Sequence, residues 1–178
     1  MGKDEMDTAV SYRVAVITLS DKGFRGERQD ESGPLIRQIV EAAGYRVESS
    51  TILPDEQELL ESELKHLCDQ GLADLILTTG GTGFSPRDRS PEAALAVAER
   101  QAPGIAEAMR QQSLSITKRA MLSRAVSVIR GKTLIINLPG SPKAAKENLE
   151  YIIGELRHGL DILTGRDGEC GNLPATGC

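Results

Sequence analysis

Three segments in the first half of the chain predict β-strands, and a segment with helical spacing follows each one. Residues 13–20 (RVAVITLS) form a continuous β-branched run, residues 45–53 alternate weakly between apolar and polar positions, and residues 73–79 (ADLILTT) are apolar on both faces. The helical spacing that starts at Pro34 ends at Gly44, a residue type that commonly terminates helices. This alternation predicts a parallel sheet with helices on both faces.

The second half of the chain predicts a hairpin and a long amphipathic helix. Two short β-rich runs, residues 125–129 and 132–137, flank a turn that contains glycine. This hairpin has no evident partner in the parallel sheet, so we expect it to take part in oligomerisation. Ser141 then caps a helix whose apolar residues recur as far as Leu163.

These elements predict one α/β domain over residues 13–164. We expect a three-layer fold with a mostly parallel sheet, helices on both faces and a short β-hairpin. No linker or internal repeat divides the chain. Residues 1–12 are expected to be flexible, and the Gly-rich tail, residues 165–178, is expected to be mobile and dispensable.

Composition excludes several functional classes. The 178 residues are 39% hydrophobic and 26% charged, which is too apolar for disorder, and no apolar run approaches the ~20 residues of a membrane span. The start of the chain shows no secretory signal, so we expect a cytoplasmic protein. A net charge of -5 and scattered aromatic residues argue against a nucleic-acid surface.

The small number of histidines and cysteines directs attention to other chemistry. The chain has two His and three Cys, without a CxxC spacing, so a zinc site or a Cys/His nucleophile is not expected. The remaining groups are carboxylates, hydroxyls and backbone amides. Together with a hard metal ion such as Mg2+, these groups suit phosphate chemistry.

A glycine-rich loop, residues 78–83 (TTGGTG), directly follows the third predicted strand. Its glycines and threonines suit a cradle for an anion, built from backbone N–H groups and hydroxyls. They suit a tight turn with positive φ equally well. The chain lacks both GxxxxGK[ST] and GxGxxG, so neither a P-loop nor a dinucleotide fingerprint is present.

Three aspartates lie on loops that should converge at the carboxyl ends of the parallel strands. Asp88, beside Arg87, suits either a polyphosphate with its metal or a solvated ion pair. Asp55 opens the pattern DEQE, which favours helix capping over a catalytic role. Asp30 suits either a loop or the cap region of the first helix. The rigid loop 137–142 (NLPGSP) suits phosphate binding and helix capping equally.

Taken together, five segments closely resemble the MogA/MoaB family of molybdenum-cofactor biosynthesis, and the resemblance spans Tyr12 to Thr164. They are residues 77–93 (LTTGGTGFSPRDRSPEA), 53–57 (LPDEQ), 20–34 (SDK…DESGP), 121–124 (MLSR) and 137–144 (NLPGSPKA). The resemblance implies a molybdopterin-binding α/β fold and a homotrimer. It also implies adenylylation of molybdopterin by Mg-ATP, which activates it for molybdate insertion.

The resemblance also implies roles for individual residues. Asp30, Asp55 and Asp88 would be the metal ligands that serve Mg-ATP, with Asp55 and Asp88 catalytic, which replaces the capping interpretation of Asp55. The pterin and its phosphate would be bound by Thr79, Gly80, Gly81, Thr82, Gly83, Ser123, Pro139, Gly140 and Ser141. The chain departs from the family pattern at Arg89-Ser90 and at Ser141, but not at the aspartates.

The implied reaction transfers AMP from ATP to the phosphate of molybdopterin and releases pyrophosphate. That phosphomonoester is largely a dianion at pH 7, since its second pKa is ~6, so no histidine base is required. The implied partners are molybdopterin, ATP, further copies of this chain and an enzyme that inserts molybdate. The alternatives are a MoaB-like paralogue that binds molybdopterin without adenylylation, which the three aspartates oppose, and a gephyrin-like scaffolding module, which the short tail opposes.

Overall fold

A six-stranded mixed sheet forms the centre of the computed structural model, which describes residues 11–166. Its strands are β1 (Arg13–Leu19), β2 (Arg46–Leu53), β3 (Leu75–Thr79), β4 (Arg100–Gln101), β5 (Ser127–Arg130) and β6 (Thr133–Leu138). They lie in the order β2-β1-β3-β6-β5-β4. β2, β1, β3 and β6 are parallel, whereas β5 and β4 are antiparallel to their neighbours. The expected mostly parallel sheet is thereby confirmed.

In the part of the chain that the structure describes, six α-helices and one 3₁₀ helix accompany the sheet. They are α1 (Asp21–Phe24), α2 (Ser32–Ala42), α3 (Gln57–Asp69), α4 (Ser90–Val97), α5 (Pro103–Leu114) and α6 (Pro142–Thr164), with the 3₁₀ helix at Lys118–Leu122. Within residues 11–166, no helix is both long enough and apolar enough to cross a membrane.

Two hydrophobic cores lie on opposite faces of the sheet. Val14 and Val16 of β1 pack with α2, α5 and α6. Ala15 and Ile17 of the same strand pack with α3 and α4. Because successive side chains of a strand point to opposite faces, a continuous apolar run serves both cores at once. The predicted three-layer arrangement follows from this pattern.

The predicted hairpin forms, but the expectation that it lacks a partner in the sheet is wrong. β6 pairs in parallel with β3, placing Leu134 opposite Leu75, and also in antiparallel with β5. All six residues of β6 are buried, as is typical of an interior strand with both faces covered. The hairpin therefore completes the sheet and gives no argument for oligomerisation.

The ordered chain extends slightly beyond the expected bounds of the domain. Tyr12 is 1% exposed and belongs to the core beside α6. The guanidinium of Arg166 lies 4.7 Å from the centre of the Tyr12 ring. The prediction that the tail is dispensable concerns residues that lie mostly outside the described range, and it stays a prediction.

The order in which strands are added to the sheet reverses at β1, which places a crevice at the carboxyl ends of the strands. β2 lies on one side of β1 and β3 on the other, the arrangement at which open α/β sheets bind ligands. Backbone hydrogen bonds join the loops there, from Ser20 to Leu53 (2.9 Å) and from Gly80 to Leu138 (3.3 Å). The predicted convergence of the loops is confirmed.

Candidate active site

Two cavities open at the carboxyl ends of the strands, on either side of the segment 80–83, here called the glycine loop. The apolar cavity, of about 290 Å³, is bordered by α5, the 3₁₀ helix and α6, and its walls include Thr82, Gly83, Met109, Ile116, Leu122 and Ser123. The polar cavity, of about 410 Å³, lies over β1 and β3, and its walls include Thr18, Ser20, Arg28, Asp30, Thr79 and Gly140. The glycine loop is thus positioned to contact ligands in both.

The backbone conformation of the glycine loop explains its composition. Gly80 and Gly81 have φ of +98° and +66°, in the left-handed region that favours glycine. A Cβ on Gly80 would lie 2.5 Å from the carbonyl oxygen of Leu19. The tight turn, one of the two predicted interpretations, is therefore present. Within residues 11–166, the backbone N–H groups of Thr82 and Gly83 have no backbone acceptor, so these donors are available for an anion.

Eight of the nine residues expected to bind the pterin line one of the two cavities. Thr82, Gly83, Ser123 and Pro139 line the apolar cavity, and Thr79, Gly80, Gly140 and Ser141 line the polar cavity. Gly81 lines neither cavity, and a Cβ at this position would lie 2.5 Å from the hydroxyl oxygen of Ser90. The Thr79 hydroxyl donates to the carbonyl of Pro139 (2.7 Å), which holds the two cavity walls together.

Asp30 stabilises the start of α2 and also faces the polar cavity. Its Oδ1 accepts hydrogen bonds from the backbone N–H groups of Ser32 (3.1 Å) and Gly33 (3.0 Å). Its Oδ2 accepts from the hydroxyl of Thr18 (2.8 Å). The cap interpretation left open by the sequence is correct for Asp30, and both oxygens already have partners.

Asp55 does not cap α3, so the capping interpretation of the DEQE pattern is wrong. The cap position is Glu56, which makes no capping hydrogen bond with its side chain. Oδ2 of Asp55 instead accepts from the N–H of Asp21, and the N–H of Asp55 donates to Oδ1 of Asp21, both at 3.0 Å. This reciprocal pair ties the loop after β2 to the start of α1.

Arg87 pairs with Asp21 but forms no ion pair with Asp55, although its charge acts to lower the pKa of Asp55. The Arg87 guanidinium binds both carboxylate oxygens of Asp21, at 2.8 and 2.9 Å, and Glu56 at 2.9 Å. These contacts lower the pKa of Asp21. The pKa of Asp55 is raised, chiefly by its withdrawal from water and further by the negative charges of Asp21 and Asp88. The sequence interpretation had not selected Asp21, although SDK lies directly after β1.

Asp88 lies in a turn beside the glycine loop. Its Oδ2 accepts from the N–H of Ser85 (2.9 Å), while its own N–H donates to the carbonyl of Ser85 (2.9 Å). A Cβ on Gly83 would lie 2.9 Å from Oδ2. The carboxylate faces an open depression that Phe84, Glu92 and Arg124 also line. Asp88 is therefore the predicted carboxylate that lies against the glycine loop.

The three aspartates do not converge on one point. Within residues 11–166, no group of three His, Cys, Asp or Glu side chains is arranged to hold a metal ion. Asp55 and Asp88 are near enough for the charge of Asp88 to raise the pKa of Asp55, whereas Asp30 faces the polar cavity. Mg2+ in nucleotide sites commonly takes one or two carboxylates, with waters and phosphates as its other ligands. Asp55 and Asp88 fit such a set better than Asp30 does.

The raised pKa of Asp55 predicts that its charge opposes folding. A carboxyl whose pKa is higher in the folded than in the unfolded state stabilises the fold at acid pH, and this contribution is lost as the pH rises through the folded pKa. Asp55→Asn should therefore unfold with a higher free energy than the wild type at pH 7, where Asp55 is charged. The difference should be smaller below the unfolded pKa of about 3.9, where Asp55 is protonated. Urea unfolding with EDTA at both pH values measures this difference. A difference independent of pH would contradict the prediction.

Comparison with known proteins identifies the class. Residues 15–158 match the family described as "Probable molybdopterin binding domain", and the chain belongs to this family. It is similar to proteins named molybdopterin adenylyltransferase. The one from Haemophilus influenzae is 45% identical over 143 residues, which are 79% of this chain and 72% of that protein. The one from Helicobacter pylori J99 is 38% identical over 159 residues, 87% and 89% of the two chains.

Solved structures agree with this assignment. The molybdopterin biosynthesis enzyme MoaB from Thermus thermophilus superposes with a TM-score of 0.82 at 47% identity, covering 86% of this chain and 97% of its own. The tungsten cofactor synthesizing protein MoaB from Pyrococcus furiosus gives 0.78 at 34% identity, covering 86% and 97%. The resemblance noted in the sequence and the fold that it implied are both confirmed.

Proposed function

We propose that this chain is a molybdopterin adenylyltransferase, which transfers AMP from Mg-ATP to the phosphate of molybdopterin and releases pyrophosphate. The observation that carries the proposal is the pair Asp55 and Asp88. Asp88 lies against the glycine loop, and its negative charge acts to raise the pKa of Asp55, which forms no ion pair within residues 11–166. The names of the relatives in Haemophilus influenzae and Helicobacter pylori support the same activity.

The chain supplies alignment rather than a proton-transfer group. The free N–H groups of Thr82 and Gly83 would hold the phosphate of molybdopterin in line with the α-phosphorus of ATP. Asp55 and Asp88 would hold Mg2+, which when bound offsets the charge of the departing pyrophosphate. The attacking phosphate is already largely a dianion at pH 7, so its oxygen attacks without a base. The absence of His from the site residues is consistent with this route.

The division into two cavities suggests where molybdopterin lies. The apolar cavity suits a heterocycle because its lining is mostly apolar, including Met109 and Ile116, and because Ser123 supplies a hydroxyl group. We therefore place the pterin there, with its phosphate on the glycine loop. Contacts of Thr79, Gly80, Gly81, Gly140 and Ser141 with the pterin, and of Asp30 with the metal, stay predictions.

The direct test is to incubate the purified protein with molybdopterin, ATP and Mg2+. Adenylylated molybdopterin, identified by mass, and an equal amount of pyrophosphate are expected. An ATP analogue with a methylene group between the α- and β-phosphorus should bind without reaction and serves as the control. Binding of molybdopterin without either product would instead support the paralogue that lacks adenylylation.

A homotrimer is also part of the proposal. Two large apolar side chains near the 3₁₀ helix, Leu114 and Met121, are 44% and 63% exposed and lie outside the wall of the apolar cavity, so neighbouring subunits could cover them. Light scattering should give three times the chain mass of 19.1 kDa. A monomer across the micromolar range would refute this. Location in the cytoplasm and transfer of the product to a molybdate-inserting enzyme stay predictions.

A further inference from the structure

One guanidinium joins the glycine loop to the segment that carries Asp88. The side chain of Arg124 donates from Nε to the carbonyl of Gly83 (2.8 Å) and from Nη2 to the carbonyl of Asp88 (2.5 Å). Its backbone N–H donates to the carbonyl of Thr82 (3.0 Å). Arg124 therefore holds the segment 82–88 at both of its ends.

Glu92 keeps this guanidinium in place. The Glu92 carboxylate lies in the first turn of α4, where it pairs with Nη1 of Arg124 and lies 3.5 Å from Nη2. Burial acts to raise the pKa of Glu92, but the hydrogen bond and charge of Arg124 outweigh it, and the pKa is lowered. All three guanidinium nitrogens thus donate to protein acceptors, so the Arg124 side chain is in a position to order the segment 82–88.

The shape of the guanidinium is essential to this arrangement. Its donors form a planar fork that reaches two carbonyls and a carboxylate together, whereas a lysine presents all its donors on one nitrogen. Lysine at position 124 would keep the charge beside Glu92 but could not hold both carbonyls. The carboxylate of Asp88 is close to Gly83, so loosening either end would displace it.

We infer that Arg124, oriented by Glu92, is a positioning residue for adenylyl transfer, which sets the Asp88 carboxylate relative to the glycine loop. The inference rests on the proposed function, in which the loop holds the phosphate of molybdopterin and Asp88 holds the metal. The separation of these two groups determines whether the attacking oxygen and the α-phosphorus are aligned. A displacement of about 1 Å at such a site can cost about 100-fold in rate.

The test compares Arg124→Lys and Glu92→Gln with the matched control Arg130→Lys. Arg130 also donates to a backbone carbonyl, that of Val97 (3.0 Å), and pairs with Asp69 (2.8 Å). It lies at the end of β5 and pairs with Thr133, the first residue of β6. The cavities lie at the opposite end of β6. Both arginines lose the same kinds of contact when they are replaced by lysine. Any effect of lower stability alone should therefore be seen in both variants, whereas an effect on the site should be seen only in Arg124→Lys.

Three measurements are made on each full-length variant. The first is kcat and KM for molybdopterin, and the second is Mn2+ binding in the presence of ATP, measured by electron paramagnetic resonance. The third is hydrogen exchange of the amides in residues 83–90. Arg124→Lys should lower kcat by about 10- to 100-fold with KM unchanged, weaken Mn2+ binding and speed the exchange. Arg130→Lys should change none of these three quantities, although its melting temperature should be similar to that of Arg124→Lys.

The outcomes separate this inference from the proposed function. If the wild type forms no adenylylated product, the proposed function fails, and Mn2+ binding and hydrogen exchange still test whether Arg124 orders the site. If the wild type is active and Arg124→Lys matches it in kcat and Mn2+ binding, the inference fails. If Arg124→Lys melts below the assay temperature, Glu92→Gln decides by the same readouts, and a wild-type kcat and Mn2+ affinity in that variant overturn the inference.

Discussion

Replacing Asp55 or Asp88 by asparagine should lower the rate of adenylyl transfer by about two to three orders of magnitude. This is the usual loss when one preorganised electrostatic contact to a transition state is removed. Asparagine keeps an oxygen that can accept the N–H of Asp21 or of Ser85, but it lacks the charge that Mg2+ requires. Radiolabelled ATP in a single-turnover assay measures the effect.

Three controls make this prediction specific. Molybdopterin binding should survive both substitutions, because neither carboxylate lines the apolar cavity. Stability should not fall by more than about 0.5 kcal/mol. Asp69→Asn, which removes an exposed carboxylate paired with Arg130, should leave the rate unchanged. A fully active Asp55→Asn beside an unstable Asp55→Ala would show that Asp55 serves only to hold the N–H of Asp21.

Gly80→Ala should be the most destabilising single methyl addition to the site, at about 2–4 kcal/mol. The new Cβ would meet the backbone carbonyl of Leu19 at 2.5 Å while φ is +98°, and a backbone group cannot yield as a side chain can. Gly44→Ala is the matched control, since φ there is +86° with nothing within 4 Å of the Cβ. It should cost only about 1–2 kcal/mol. Equal losses in urea unfolding would contradict the steric argument.

The parts of the fold that depend on a pattern of residues within one segment were predictable from the sequence. The apolar runs at 13–20 and 73–79 became β1 and β3, although β3 begins at Leu75, because burial of both faces requires an unbroken apolar run. Gly44 follows the end of α2 with positive φ, as expected. The place of β6 between β3 and β5 was not predictable, because pairing between distant strands leaves no local pattern.

The candidate site shows the same division between local and distant signals. The DEQE pattern meets the local requirements of a cap, but Asp55 instead pairs with Asp21, which is 34 residues away. The contacts of Arg124 with Gly83 and Asp88 span 41 and 36 residues, so MLSR alone indicates neither. The glycine loop was predictable because its conformation depends on the residues within it. Which aspartates lie close together depends instead on how the whole sheet is assembled.

The interior place of β6 has a consequence for how the molecule forms during synthesis. Of the six strands in residues 11–166, β6 is made last, yet it joins the parallel strands to the antiparallel pair. Until it leaves the ribosome, β3 presents an unpaired edge of buried apolar residues, the kind of surface that promotes association between nascent chains. Neither cavity has its complete wall before Leu138 and the loop that follows it emerge. A chain that stops before β6 would therefore lack part of the wall of both cavities and would keep this apolar edge exposed.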